Sequence, residues 1–150
     1  MTRFLPLAGF LIFVVGGGLL IGALNVPGDW YAGLAKPGFN PPNWIFGPVW
    51  TLLYVFIAIA GWRAWQQDPH GPGMFLWLVQ LLLNFAWSPV FFSFQQIGLA
   101  LAVILCLLAT VIGFAVWQWP RDRTAALLFV PYAAWVAFAS VLNASLLMLN

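Results

Sequence analysis

The sequence predicts an all-α integral membrane protein. It reads as a single domain over residues 1–150, a five-transmembrane-helix bundle with a long loop between the first and second helices. Two observations carry this. The chain is 64 % hydrophobic and 5 % charged, against roughly 45–50 % and about 25 % in ordinary globular domains, so its charges cannot cover the surface of a soluble fold. Those charges also fall between apolar stretches long enough to cross a bilayer, for which a helix needs about 20 residues. The runs are continuous and rich in Leu and Ala, unlike the alternating segments of about 10 residues that build a membrane barrel. A soluble enzyme, a nucleic-acid binder and a disordered tail are excluded.

The first segment, 4–25, follows Arg3. It exceeds the apolar core of a signal peptide and no A-x-A site follows it, so it is read as a retained helix. Residues 26–43, VPGDWYAGLAKPGFNPPN, form a loop broken by Pro and Gly. The second segment, 44–65, ends at QQDPHGPG, and the third, 74–94, ends in the tight turn Phe94-Gln95-Gln96. The fourth, 97–118, is separated from the fifth, 124–148, by the charged connection WPRDR. An odd number of spans puts the termini on opposite sides. Arg3, Arg63, Arg121 and Arg123 then share one side and Lys36 stands alone on the other. The positive-inside rule places the N-terminus inside, with loop 1 and the C-terminus opposite. Trp62, Trp65, Trp117 and Trp119 on the Arg side, and Trp30 and Trp44 on the loop 1 side, fit interfacial belts. No internal repeat is visible.

Polar groups inside membrane helices mark functional sites. Helical spacing puts Gln80, Asn84, Trp87 and Phe91 on one face of the third segment, with Ser88 nearby. The fifth carries a similar stripe of Tyr132, Trp135, Ala139, Leu142 and Asn143, and the second one of Trp50, Tyr54, Ile57 and Gly61. Two readings stand side by side: a Trp-walled pocket furnished with amides, or helix–helix contact in which Asn and Gln bond across helices. Gly18 and Gly22, the row Gly98, Ala102 and Cys106, and the pair Ala109 and Gly113 permit close helix approach within the bundle or in a dimer. Cys106 reads as a small packing residue.

No Asp, Glu, Lys or Arg lies near a helix centre. Proton pumps, ion-coupled carriers and retinal proteins place ionisable groups there. His70 and Cys106 are single, so neither a metal site nor a nucleophile–His–acid set can be assembled, and no cofactor is required.

Loop 1 running into the second segment contains Trp30-Tyr31, Leu34, Lys36-Pro37, Pro41-Pro42 and Trp44, then Pro48, Trp50 and Leu53-Tyr54. With the blocks Asn84-Phe85-Ala86-Trp87-Ser88-Pro89 and Pro131-Tyr132-Ala133-Ala134-Trp135, this resembles the TspO/MBR family of translocator and tryptophan-rich sensory proteins, in order and spacing across nearly the whole chain. The resemblance implies a dimeric five-helix bundle whose pocket opens toward loop 1, which folds over it as a lid. It implies porphyrins such as protoporphyrin IX as ligands, with synthetic isoquinoline carboxamides and benzodiazepines, in a bacterial membrane.

Carried over by residue, it makes Trp50 and Trp135 pocket tryptophans and Tyr31, Pro41, Pro42 and Asn43 the lid and its hinge. Asn84 and Ser88 match polar positions, and Ala139 and Leu142 match positions that shape the pocket. Tyr54, Trp87 and Phe91 join them from the stripes. The family's sterol motif needs a Tyr and then a basic residue late in the last helix. Residues 142–148, LNASLLM, have neither, which argues against sterol.

A porphyrin's π-face suits stacking on Trp, and its propionates need donors at the membrane edge, where Lys36 and loop 1 amides are the candidates. An axial ligand for haem would have to be His70, Cys106 or Met148, none of them on the Trp50 and Trp135 stripes. The leading reading is a receptor, carrier or sensor for flat apolar ligands. The alternatives are a light-dependent porphyrin-degrading enzyme using Trp50 or Trp135, a transporter, or a membrane scaffold.

Overall fold

A computed structural model describes residues 2–150. Among these, the regular elements are all helical, and five helices are long and apolar enough to span a membrane. They are α1 (Thr2–Leu24), α2 (Asn43–Gln67), α3 (Pro72–Ser93), α4 (Ile97–Gln118) and α5 (Arg123–Leu149). The expected bounds hold to within about two residues, the ordinary ambiguity of helix ends. The chain is an integral, multi-pass membrane protein.

Contacts run α1–α2–α5–α4–α3 and back to α1, closing the helices into a ring. The α4–α5 and α3–α4 pairs, joined by short connections, touch most extensively. Between α3 and α4, Gln95 takes a positive φ of 58°, a left-handed conformation that costs an L-residue roughly 1–2 kcal/mol. It sits where Gln96 N donates to Val90 O at 3.1 Å.

Two spans are not uniformly α. Ile12–Gly16 in α1 and Pro89–Ser93 in α3 are wound as π-turns. Pro89 has no amide hydrogen to donate, and the wider turn lets Phe94 N reach its carbonyl at 2.9 Å.

At the Arg end the ring is filled. Trp77 of α3 is 2 % exposed and donates Nε1–H to Ile57 O of α2 at 2.8 Å. Its indole lies where a Cβ on Gly61 would come within 2.3 Å, so Gly61 is the space Trp77 occupies. Gly18 of α1 plays the same part for the Tyr54 ring, which lies 2.4 Å from where its Cβ would be. That contact places Gly18 inside the bundle. The row Gly98, Ala102 and Cys106 is instead exposed on the outer side of α4. Cys106 therefore does not pack within the single bundle, because α4 turns its other face, Ile104, Leu107 and Val111, into the core.

Charge closes the same end. Asp122 accepts from Arg63 Nε at 2.7 Å and Nη2 at 3.1 Å, tying α2 to the start of α5, and it caps α5 by accepting from Ala125 N. Partial burial disfavours its charged form, but the Arg63 hydrogen bond and the Ala125 amide outweigh that and hold the carboxyl below its ordinary range. Trp62, expected in the interfacial belt, is buried, whereas Trp65 and Trp119 are exposed as belts require.

Because both glycines abut aromatic rings, Gly18→Ala and Gly61→Ala are each expected to destabilise the protein by about 1–3 kcal/mol, the usual cost of overpacking. Gly9→Ala, with open space around its Cβ position, should be neutral or slightly stabilising. Thermal unfolding in detergent checks all three.

Candidate functional site

Away from the Arg end the helices diverge around a cavity of about 490 Å³, within the usual range for small-molecule pockets. All five spans and loop 1 contribute to it. The boundary between filled core and cavity is a hydrogen-bonded seam between α3 and α5. Asn84 Nδ2 donates to the Tyr132 hydroxyl at 2.7 Å, and that hydroxyl donates to Gln80 Oε1 at 2.7 Å. Nearer loop 1, Trp87 Nε1 donates to Asn143 Oδ1 at 3.0 Å, while Asn143 Nδ2 donates to Ile97 O at 3.0 Å.

The seam divides each polar stripe by depth. Gln80, Tyr132, Ile57 and Gly61 lie in the filled half and do not line the cavity, whereas Trp50, Tyr54, Asn84, Trp87, Ser88, Phe91, Trp135, Ala139, Leu142 and Asn143 do. Both sequence readings are thus realised, cross-helix bonding in the lower half and a cavity in the upper. Tyr31 and Asn43 also line it, while Pro41 and Pro42 do not. The two prolines lead from the loop into α2, with Pro42 in extended geometry at the helix start, and so shape the lid from outside. Sequence reasoning missed Gly22, Asn25, Asn40, Phe46, Ile104 and Leu107. The apolar ones carry no chemical signal, and the amides sit where loop polarity is ordinary.

Two aromatic walls flank the space. From α2 and α5 come Trp50, Tyr54, Phe46 and Trp135, with Trp50–Tyr54 ring centroids at 5.6 Å and Phe46–Trp135 at 5.7 Å. From α3 come Trp87 and Phe91, stacked at 5.0 Å. Trp135 Nε1 is buried and has no partner. A buried donor left unpaired costs about 1–3 kcal/mol. The lining holds no Asp, Glu, Lys, Arg, His or Cys.

Loop 1 closes the opening. Its short helix, Asp29–Ala32, presents Trp30 and Tyr31 to Phe91, at 5.7 and 6.1 Å, and Tyr31 to Phe92 at 5.4 Å. Burial pushes the Tyr31 phenol above its ordinary value, with the Asn40 side chain tempering the rise. Lys36 does not reach the cavity. Its ammonium donates to the carbonyls of Tyr31, Leu34 and Ala32, at 2.7, 3.1 and 3.3 Å, and lies 4.6 Å from the Tyr31 ring centroid. The lysine expected to meet an anionic ligand instead fastens the lid, because three carbonyls at the end of the short helix converge on its ammonium.

A second fastening comes from the far end of the chain. Asn150 accepts from Ala35 N at 3.0 Å and donates to Ala35 O at 2.9 Å, pairing with the loop backbone as a neighbouring strand would. Asn150→Ala removes both bonds and is expected to free the lid by about 1 kcal/mol per bond at most, the typical net value. Faster amide hydrogen exchange over residues 33–37, with exchange in α2 and α5 unchanged, is the readout.

The sequence profile of the TspO/MBR family matches residues 10–149. The chain is 43 % identical over 125 residues to the tryptophan-rich protein TspO of Archaeoglobus fulgidus, covering 81 % of this chain and 80 % of that one. It is 36 % identical over 133 residues to protein CrtK of Rhodobacter capsulatus, covering 86 % and 83 %. It is 36 % identical over 134 residues to the human translocator protein, covering 84 % and 79 %. With a five-span helical bundle, a Trp-lined cavity beneath loop 1 and matches of this extent, the chain belongs to the TspO/MBR family.

Proposed function

We propose that this protein is a membrane receptor, carrier or sensor that binds porphyrins of the protoporphyrin IX type, and similar flat apolar molecules, in the cavity beneath loop 1. The observation that carries the reading is the placement of Trp50, Trp87 and Trp135 around one enclosed space. Trp offers broad stacking area at small entropic cost, and aromatic pairs add about 0.5–1.5 kcal/mol beyond burial. The same walls suit isoquinoline and benzodiazepine-type ligands. With Lys36 engaged by the lid, propionates at the rim meet neutral donors, the amides of Asn40 and Asn43. His70, Cys106 and Met148 do not line the cavity, so metal-free porphyrin should bind at least as well as haem.

A lining without Asp, Glu, His, Cys or Lys supplies no acid–base or nucleophilic pair, which favours binding over hydrolytic or transfer chemistry. Porphyrin conversion driven by light needs no such pair and is the second reading, with Trp50 or Trp135 as the redox-active group. Protoporphyrin IX titration in the dark and under illumination separates the two. Wild type is expected to bind saturably. Trp50→Phe and Trp135→Phe should each weaken dark binding by roughly threefold to tenfold, the size of one lost aromatic contact. Full dark binding in both variants, with light-driven loss of porphyrin abolished, would instead establish the enzyme reading. Absence of saturable binding in wild type would refute both.

We propose an orientation on the same footing: Arg3, Arg63 and Arg121 gather at one end and the lid lies at the other, which supports a lid on the side opposite the cytoplasm. A cysteine introduced at Gly38, with Cys106 replaced by Ala, should react with an impermeant maleimide in intact cells, and one introduced at Gln67 should not.

A further inference from the structure

At the Arg end, a second crevice of about 360 Å³ lies between α1, the end of α2 and the α4–α5 connection. It is lined by Arg3, Trp62, Arg63, Gln66, Gln67, Arg121 and Asp122. Three guanidinium groups face one carboxylate, and that carboxylate is already committed to Arg63. Arg3 forms no hydrogen bond or ion pair among the described residues. Arg121 spends one N–H on Trp117 O at 2.6 Å and lies over the Trp117 ring. A guanidinium has five donors, so most of theirs are available.

The crevice wall also carries an apolar ring. Trp62 is 6 % exposed, its Nε1–H has no acceptor, and it forms part of the crevice wall. An oxyanion lodged there would meet the Gln66 and Gln67 amides and the remaining N–H groups of Arg3 and Arg121.

We propose that this crevice binds the phosphate of an anionic phospholipid. The shared chemistry is a phosphate oxyanion, and the surroundings favour a lipid as its source. The crevice opens at the level of the exposed Trp65 and Trp119, where headgroups lie. Beside Arg3, the side chains of Phe4 and Leu5 are 54 % and 67 % exposed, an apolar surface for acyl chains that a soluble anion does not need. Basic pockets at the ends of membrane helices take headgroups in this way.

The test titrates delipidated, detergent-solubilised protein with phosphatidylglycerol, phosphatidylcholine and inorganic phosphate, scoring bound lipid by native mass spectrometry and thermal midpoint. Wild type should retain phosphatidylglycerol over phosphatidylcholine. Arg3→Gln/Arg121→Gln leaves the Arg63–Asp122 pair intact and should weaken phosphatidylglycerol by about thirtyfold, with Arg3→Lys/Arg121→Lys recovering most of it. Equal retention of the two lipids, or undiminished phosphatidylglycerol binding in the Gln pair, would overturn the proposal. Equal protection by inorganic phosphate would overturn the lipid as its source.

Discussion

The Gln80–Tyr132–Asn84 chain between α3 and α5 is the interaction on which the arrangement depends. In a bilayer, helix association has no hydrophobic drive of the usual kind, since lipid tails are as apolar as the helices, and polar groups must be satisfied within the protein. The Tyr132 hydroxyl meets that requirement for itself by joining two amides of α3, while Gln80 Nε2 is left without a partner. It thereby sets the depth at which α3 and α5 are held together. Below it, Trp77 fills the space left by Gly61; above it a cavity opens, bordered by a second α3–α5 bond from Trp87 to Asn143.

Close approach and separation are matched to residue size. Gly61 accepts the ring of Trp77 in the filled half, and Gly18 accepts the ring of Tyr54 at the cavity wall. In the upper half Gly22, Ala23 and Ala139 leave the volume that Trp50, Trp87 and Trp135 surround. Loop 1 is fastened by three different kinds of contact: the aromatic cluster around Phe91, the Lys36 ammonium on loop carbonyls, and the Asn150 clasp. Each belongs to a different part of the chain, so the lid's position depends on α3, on itself and on the end of α5. At the opposite end, Arg63–Asp122 plays the closing role between α2 and α5. The two ends of the bundle therefore differ in character, one aromatic and amide-rich, the other cationic.

The spans, their limits and the stripes on α2, α3 and α5 were legible in the sequence, because hydropathy and a 3.6-residue period depend only on neighbours along the chain. So were most side chains around the cavity, since aromatic and amide residues in apolar helices are conspicuous. Which half of each stripe faces a cavity was not legible. That depends on where Tyr132 bonds across helices and on which glycines admit rings, contacts between residues 16 to 52 positions apart. The burial of Trp62, the commitment of Lys36 to its own loop and the outward turn of Cys106 belong to the same class. A side chain's chemistry is written in the sequence, but its partner is chosen by the packing of helices around the ring, and only the tertiary structure decides it.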